Sequence, residues 1–262
     1  MDSIEHTKQI FLGNYQIHDK LYYSSNEDLY QLLDHVDITN KKVLSVLASG
    51  DQYFHLSERD PRIIDTFDIN HLTKYYFYLR KWGIIYHDLY YPNVFSNETI
   101  YSIIKEVKPK DKNEEEALNY WERYIQTFYS YLTNELIYLG QDPKKNEIKN
   151  LRRLKEYLLN QEFRFYHMDI SKDVIDDKYD FIFISNIAEY YVLNEKAMNG
   201  LSHNLYQMLE DDGEVLLSYV IEPRSSSMEV KCFDNFLVSS SILDNDGDRI
   251  GKIYKKRNVN KK

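Results

Sequence analysis

A short turn and a downstream acid are the residues of this sequence best suited to bind a ligand. The turn is Ala48-Ser49-Gly50-Asp51-Gln52, and its small side chains let the backbone approach a ligand closely. Asp68 follows Gly50 by 18 residues, near the spacing at which dinucleotide-binding folds place the acid that accepts hydrogen bonds from ribose hydroxyls. The spacing therefore predicts a site for a ligand with an adenosyl group, with the turn facing the polar end of that ligand.

Two apolar runs must position these residues. Val43 to Leu47 is long enough for a buried strand and too short for a helix, and Ile63 to Phe67 gives a second strand that ends at Asp68. A strand, a tight turn, a helix and a strand that ends in an acid form the βαβ unit that binds an adenosyl group. We therefore expect such a unit between residues 41 and 70.

This stretch resembles the first half of class I S-adenosylmethionine-dependent transferases. More narrowly, VLSVLASGD followed by DTFDINHLTKYYFYLRKWGI is similar to the S-adenosylmethionine 3-amino-3-carboxypropyltransferases that begin betaine-lipid synthesis. The sequence departs from ordinary methyltransferases at Ser45, where they carry an acid, and in having Gly50 as its single turn glycine. The resemblance implies S-adenosyl-L-methionine as cofactor and assigns its binding to Leu47, Ala48, Ser49, Gly50, Asp51, Asp68, Ile69 and Asn70.

Two later strands extend the predicted site. The run Phe163 to Asp169 ends in an acid, and the resemblance makes Asp169 and Ile170 candidates for the adenine site, although an Asp at a strand end is common in any loop. YDFIFISNIAEYY resembles the fourth motif of these transferases, and its apolar run is typical of a central strand buried on both faces. It ends in Ser185-Asn186, where this fold places the transferred group against the acceptor.

The candidates for catalysis are Asn186, Glu189 and Tyr190. Asn186 positions a ligand through one donor group and one acceptor group, and it is also a candidate for the cofactor site together with Ser185. Glu189 and Tyr190 follow closely enough to orient or deprotonate an acceptor amine or hydroxyl. Without the preceding motifs, the same residues would be an ordinary strand end.

Residues 1–40 are polar and helical in pattern, with Ser25-Asn26 as the expected cap of a helix that begins at Glu27. In this fold, segments before the first strand often close over the cofactor, which makes Tyr23, with its neighbours Tyr22 and Ser24, a candidate contact. The alternative is a helix that only packs on the edge of the sheet.

Residues 84–162 are too long for a single connection between a helix and a strand. Ala117 to Leu139 predicts a long amphipathic helix that ends at Gly140, and Asn146 to Leu159 predicts another. We interpret the region as a helical insertion that forms a lid or part of the acceptor pocket, and the related transferases have an extended helical region at this place. A dimer interface or plain packing is the alternative.

The remaining elements complete the predicted fold class. A helix over Lys196 to Leu209, a turn at Asp211-Asp212-Gly213 and a strand from Glu214 to Val220 are expected. Two strands around Asp244-Asn245-Asp246-Gly247 predict a hairpin. The whole is a Rossmann-like α/β fold: a mostly parallel seven-stranded sheet with a C-terminal antiparallel hairpin. Its divisions are an N-terminal helical cap (1–40), an adenosyl-binding domain (41–83 and 163–262) and the helical insertion (84–162).

Composition excludes several other classes of protein. A net charge of −9 and a pI near 5.4 argue against nucleic acid as a partner. The sequence has no basic amphipathic stretch, so we expect no stable membrane anchor. Cys232 is the single cysteine, so the chain forms no internal disulfide and no cysteine-zinc cluster, and its eight histidines lack the clustering of a metal site. We expect a cytoplasmic protein without a metal, and the sequence leaves its oligomeric state open.

The predicted function is S-adenosylmethionine-dependent transfer to a small-molecule acceptor. A sulfonium carries its own activation, so the protein mainly supplies alignment, which contributes on the order of 7 to 11 kcal/mol in favourable cases. Methyl transfer is favoured because it is the commoner reaction of the fold, while the narrower resemblance indicates transfer of the 3-amino-3-carboxypropyl group with release of methylthioadenosine. A non-catalytic adenosyl-binding protein and a structural partner that uses the insertion are further alternatives.

Overall fold

The structure is a computed structural model, and it describes residues 2–13, 21–22, 24–90, 97–128, 137–138, 148–191, 193–219, 231–244 and 247–257. The chain forms two compact units. We call the first the helical unit, and it comprises Met1–Ser25, Leu47–Phe54 and Asn70–Glu162. We call the second the sheet unit, and it comprises Asn26–Val46, His55–Ile69 and Phe163–Lys262. Tyr23 and Gly140 lie outside the described residues.

The strands and helices are as follows. The strands are β1 (Leu21–Tyr22), β2 (Lys42–Val46), β3 (Ile63–Asp68), β4 (Ile137–Tyr138), β5 (Arg164–His167), β6 (Tyr179–Ser185), β7 (Leu209–Ser218), β8 (Phe236–Leu243) and β9 (Arg249–Lys256). The helices are α1 (Ser3–Phe11), α2 (Leu29–Leu33), α3 (Asp51–Ser57), α4 (Leu72–His87), α5 (Asn97–Ile104), α6 (Lys112–Phe128), α7 (Leu151–Asn160), α8 (Ile187–Tyr190) and α9 (Glu195–Met208).

The sheet unit is built on a seven-stranded sheet with the order β5-β3-β2-β6-β7-β9-β8. The pairs from β5 through β7 are parallel, whereas β9 pairs antiparallel with β7 and with β8. The predicted fold class, a mostly parallel seven-stranded sheet with a C-terminal antiparallel hairpin, is confirmed. Asn245 and Asp246 of the predicted hairpin turn lie outside the described residues.

The order of the strands reverses between β2 and β6. Strands β3 and β5 lie on one side of β2 in the sheet, and strands β6 and β7, which come later in the chain, lie on its other side. The central strands are buried on both faces, as their continuous apolar runs predict, and the side chains of Leu44, Phe181 and Phe183 are 0% exposed. Because the five strands from β5 to β7 are parallel, their carboxyl ends meet at one edge of the sheet, where open α/β folds bind ligands.

The helical unit is organised around α4. Helices α5, α6 and α7 all pack against α4, and a short parallel pair joins β1 to β4. The rings of Tyr75 and Tyr120 stack at 4.5 Å, and Trp121 donates a 2.8 Å hydrogen bond to the carbonyl of Tyr75. Lys81 and Glu114 form a buried ion pair at 2.8 Å. The aromatic side chains of α4, among them Tyr76 and Phe77, are therefore part of the core.

Two predicted helices of the insertion have the wrong limits. The helix predicted over Ala117 to Leu139 is α6, which begins earlier, at Lys112, and Ile137–Tyr138 is a strand. Backbone pairing with Leu21–Tyr22, which no local pattern encodes, accounts for that strand. The helix predicted from Asn146 begins at Leu151, because the side chain of Asn150 accepts the N–H of Arg153 at 3.0 Å and caps the helix there.

Two further local predictions are wrong. The helix expected from Glu27 begins at Leu29, because Asp28 rather than Ser25-Asn26 caps it, accepting the N–H of Gln31 at 3.0 Å. The turn expected at residues 211–213 lies inside β7. There the strand register changes, since Leu209 pairs with Tyr179 and Glu214 with Phe181, so the intervening residues bulge from the sheet.

Candidate functional site

The carboxyl end of β3 carries Asp68, the predicted ribose ligand. Asp68 is the last residue of the strand and is buried, whereas the next side chain, Ile69, is exposed. The neighbouring strand supports this end: the N–H of Met168 donates to the carbonyl of Asp68 at 3.0 Å, and Nε2 of His167 lies 2.9 Å from the carbonyl of Ile69. Both contacts are made to backbone carbonyls of the strand end, so the side chains of Asp68 and Ile69 take no part in them.

Asp169 organises the loop that follows β5. Its Oδ1 accepts hydrogen bonds from Ser171 N–H at 3.0 Å, Ser171 Oγ at 2.7 Å and Tyr191 Oη at 2.9 Å, while Lys172 lies 2.8 Å from Oδ2. Burial raises the pKa of Asp169, but these donors lower it further, so its pKa lies below the usual range. Burial also raises the pKa of Tyr191 to about 12. The carboxylate of Asp169 is therefore ionised and engaged within its own loop.

The predicted partner of Asp169 in an adenine site, Ile170, is buried. Its carbonyl accepts a 2.9 Å hydrogen bond from Nδ2 of Asn204 on α9. This contact ties the loop after β5 to α9. Ile170 and Asp169 are thus brought together in one ordered loop of the sheet unit.

The end of β6 carries Ser185 and the three candidates for catalysis. Ser185 adopts a left-handed backbone with φ 53, and Asn186 precedes the first turn of α8 without a side-chain capping bond. Glu189 and Tyr190 lie in α8, where Glu189 is half-buried and Tyr190 is 57% exposed. The structure therefore places all four residues in one short segment at the carboxyl edge of the sheet.

Glu27 is a buried residue at this edge that sequence reasoning assigned to the first turn of a helix. Its carboxylate accepts hydrogen bonds from the hydroxyls of Ser185 and Ser218, the last residues of β6 and β7. The sequence separations are 158 and 191 residues, so no local pattern could reveal these contacts. The one signal in the sequence is a serine at the end of each apolar strand.

In the helical unit, the turn Leu47 to Asp51 is held by unusual backbone geometry. Ala48 has φ 45 and Gly50 has φ 91, and the N–H of Gly50 donates to the carbonyl of Leu47 at 2.7 Å. A Cβ at Gly50 would lie 3.3 Å from the ring of Phe54, so glycine is required there for its conformation and for the space. Two residues of this turn have a left-handed backbone. Gly50 is one of them and Ala48 is the other, so the turn forms with a single glycine.

Asp51 stabilises this turn through contacts of its buried carboxylate. Its fully buried carboxylate accepts hydrogen bonds from Ser25 N–H at 2.6 Å, Ser49 Oγ at 3.0 Å and Tyr90 Oη at 3.0 Å, and it pairs with Arg80 at 2.9 Å. A contact between this carboxylate and a ligand would require those bonds to break. Asp51 therefore holds the turn in place, and any direct contact with a ligand stays a prediction.

Arg80 is the second residue that sequence reasoning missed. It lies on α4, fully buried, and its guanidinium donates a 2.7 Å hydrogen bond to the carbonyl of Ser49. The guanidinium also stacks on the rings of Phe54 and Tyr90, at 4.8 and 5.0 Å from their centroids. The signal in the sequence is an arginine among the aromatic and apolar residues of α4.

Asn70, also predicted to bind cofactor, is the residue at which α4 starts. Its Oδ1 accepts the N–H of Leu72 at 3.0 Å, and its carbonyl accepts the hydroxyl of Thr73 at 2.7 Å. The side chain is buried, so its position is set by the helix.

Metal and membrane features are absent from the described part of the chain. Within it, no three or more His, Cys, Asp or Glu side chains are grouped to hold a metal ion. The helices that the structure describes include none with the length and hydropathy to cross a membrane.

Comparisons with known proteins give matches only among solved structures. No protein-family model and no curated protein matches the sequence. The TehB-like SAM-dependent methyltransferase from Corynebacterium glutamicum is 9% identical, with 97% of this chain and 96% of that chain covered and a TM-score of 0.45. The glycopeptide N-methyltransferase MtfA is 10% identical, with 88% and 95% covered and a TM-score of 0.48. The N-methyltransferase NodS from Bradyrhizobium japonicum, in complex with S-adenosyl-L-homocysteine, is 9% identical, with 88% and 84% covered and a TM-score of 0.43. These values do not by themselves establish a function for this chain.

Proposed function

We propose that this chain is an S-adenosyl-L-methionine-dependent transferase that methylates a small molecule. The observation that carries the proposal lies at the reversal of strand order between β2 and β6. A non-glycine residue with a left-handed backbone occurs at the carboxyl end of each of these strands: Ala48, two residues after β2, has φ 45, and Ser185, the last residue of β6, has φ 53. Such a conformation costs about 1 to 2 kcal/mol, and it is typically retained where a ligand is bound. Open α/β sheets bind their ligands at this reversal.

The residues present fit an adenosyl ligand. Asp68 supplies a carboxylate for the two ribose hydroxyls, and the exposed apolar side chain of Ile69 suits the face of a base. The sequence pattern assigns the turn from Leu47 to Asp51, which belongs to the helical unit, to the polar end of such a ligand. The ordered loop at Asp169 and Ile170 is the candidate for the adenine edge.

The chemistry proposed for the acceptor side requires little beyond alignment. Bound S-adenosyl-L-methionine supplies an activated carbon on a sulfonium. Asn186 would orient the acceptor through its amide, and Glu189 would take a proton from an acceptor that arrives protonated. The acidic chain, with a net charge of −9, supports a small acceptor over nucleic acid, and we place the reaction in the cytoplasm.

Transfer of the 3-amino-3-carboxypropyl group is the second candidate. The feature that favours it is the Gly50-Asp51 turn, because the family that the sequence resembles has a small-residue Gly-Asp turn at the end of this strand. The two reactions use the same cofactor and differ in which carbon of the sulfonium faces the acceptor.

Mass spectrometry of the purified protein, incubated with S-adenosyl-L-methionine and a cell metabolite extract, tests the proposal. Release of S-adenosylhomocysteine is expected for methyl transfer, and release of 5′-methylthioadenosine would replace it by carboxypropyl transfer. Calorimetry with the cofactor alone provides the control for binding. Binding without either product would indicate a non-catalytic adenosyl-binding protein, and the absence of binding would overturn the proposed site.

A further inference from the structure

We propose that Glu27 is a positioning residue for the transfer site, where its buried carboxylate holds Ser185 in the left-handed conformation that orients Asn186. This inference rests on the proposed function, because it assigns a role within the same site. It concerns the sheet unit alone, to which all three residues belong.

The first step is the environment of Glu27. Its side chain is 5% exposed, and both Ser185 and Ser218 donate their hydroxyl hydrogens to Oε1. A buried carboxylate requires hydrogen bonds, and two hydroxyl donors on one oxygen fix its position strongly. Because these serines end β6 and β7, Glu27 joins the carboxyl ends of two neighbouring parallel strands.

The second step is an irregularity in the sheet at the same place. Phe183 pairs with Leu216, but Ser185 pairs with Leu217. Two steps along β6 therefore correspond to a single step along β7, and the register of the pair shifts at this point. The regular ladder therefore does not determine the conformation of Ser185. Ser185 nevertheless has a defined left-handed backbone, which a residue with a Cβ adopts only when its surroundings impose it. The bond from its hydroxyl to Glu27 is the contact that can impose it.

The third step connects this conformation to the proposed chemistry. Asn186 directly follows Ser185 and precedes α8, and its side chain makes no capping bond with that helix. The amide oxygen of Asn186 lies 3.5 Å from the hydroxyl of Ser185, so the direction of the amide depends on both the backbone and the side chain of Ser185. A change in that backbone would displace the amide and the start of α8, and with it Glu189 and Tyr190.

Four variants and the cofactor test this role. In Glu27→Gln an oxygen that can accept both serine hydroxyls remains, whereas Glu27→Ala removes it. Glu58→Ala is the matched control, since Glu58 also lies in the sheet unit and accepts a hydroxyl hydrogen bond, from Tyr30 at 3.0 Å. The fourth is Glu27→Ala combined with Ser185→Gly, and it is compared with a reference protein that carries Ser185→Gly alone. The measurements are the Kd for S-adenosyl-L-methionine by calorimetry, because Ser185 and Asn186 are also candidates for cofactor binding, and the Tm of each variant.

We expect Glu27→Ala to raise the Kd at least tenfold, while Glu27→Gln and Glu58→Ala stay within about threefold of the parent chain. Because Glu27 acts through Ser185, the same Glu27→Ala change should raise the Kd less in the Ser185→Gly background, where the hydroxyl of residue 185 is already absent and only that of Ser218 remains for Glu27 to hold. An unchanged Kd in a folded Glu27→Ala protein would overturn the inference and leave the proposed function intact. Equal losses of affinity and Tm in Glu27→Gln and Glu27→Ala would show a merely structural role. If the parent chain binds no cofactor, the proposed function itself fails.

Discussion

The guanidinium of Arg80 lies 2.9 Å from the carboxylate of Asp51, and both side chains are 0% exposed. Each charge is removed from water only because the other compensates for it. Arg80 also donates to the carbonyl of Ser49, and Asp51 also accepts hydrogen bonds from Ser25 and Tyr90. The pair thus joins the first helix turn after β2 to the middle of α4.

Removal of one member of this pair should destabilise the protein strongly. We expect Arg80→Met to lower the free energy of unfolding by about 3 to 5 kcal/mol, because Asp51 is left as an uncompensated buried charge. The double variant Arg80→Met/Asp51→Asn should lose less than the sum of the single changes, with a coupling of about 1 to 3 kcal/mol, measured by urea denaturation. The exposed pair Arg123–Asp2, at 3.0 Å, is the matched control. Its coupling should be much smaller, because water screens an exposed ion pair, and equal couplings for the two pairs would contradict the prediction.

Gly50 should tolerate alanine poorly. Gly50→Ala combines a left-handed backbone, at φ 91, with a Cβ that would lie 3.3 Å from Phe54 and 3.4 Å from Phe77. We expect a loss of about 2 kcal/mol in the free energy of unfolding, part from backbone strain and part from crowding. Gly247→Ala isolates the strain, because Gly247 has φ 87 and a Cβ at that position would meet nothing within 4 Å, and it should cost about 1 kcal/mol. Equal losses at both positions would mean that crowding at Gly50 is negligible.

Asp68→Ala should separate binding from folding. The carboxylate is proposed to accept the ribose hydroxyls, and its removal should raise the Kd for S-adenosyl-L-methionine at least tenfold. The free energy of unfolding should change by less than about 1 kcal/mol, because the backbone contacts of this strand end remain. Asp176→Ala, at an exposed position of the sheet unit, should leave both quantities unchanged. Unaltered affinity in a folded Asp68→Ala protein would remove Asp68 from the site.

Asp65 should make stability depend on pH. Burial raises the pKa of Asp65, against a 2.9 Å hydrogen bond from the hydroxyl of Tyr179. The folded chain therefore binds this proton more tightly than the unfolded chain does. The stability contributed by the protonated carboxyl is complete below the unfolded pKa of about 4, and it is lost as the pH rises through the raised folded pKa.

The variant Asp65→Asn removes this titration. Its free energy of unfolding, relative to that of the parent chain, should therefore increase as the pH rises from 4 to 7. Urea denaturation of both proteins across that range measures the difference. A difference that is constant with pH would show that the carboxyl does not titrate differently in the two states.

The sheet was predictable because its signals are local. Apolar runs such as that of β6, and the turn chemistry around Gly50 and Gly247, depend on residues close in sequence. The contacts of Glu27 and Arg80 were not predictable, because their partners are distant in sequence and an acid or an arginine on a helix is ordinary by itself. The same reason explains the strand at Ile137–Tyr138, which exists through its pairing with Leu21–Tyr22.

The hydrogen bonds that hold the turn from Leu47 to Asp51 also affect the rate of ligand association. The residues that hold this turn by hydrogen bonds, Arg80, Tyr90 and Ser25, all belong to the helical unit itself. An incoming molecule would not have to order this segment, so the entropy of loop ordering does not oppose its capture. We therefore expect the turn to impose no slow conformational step, and differences in affinity among related ligands to arise mainly from how quickly each one leaves.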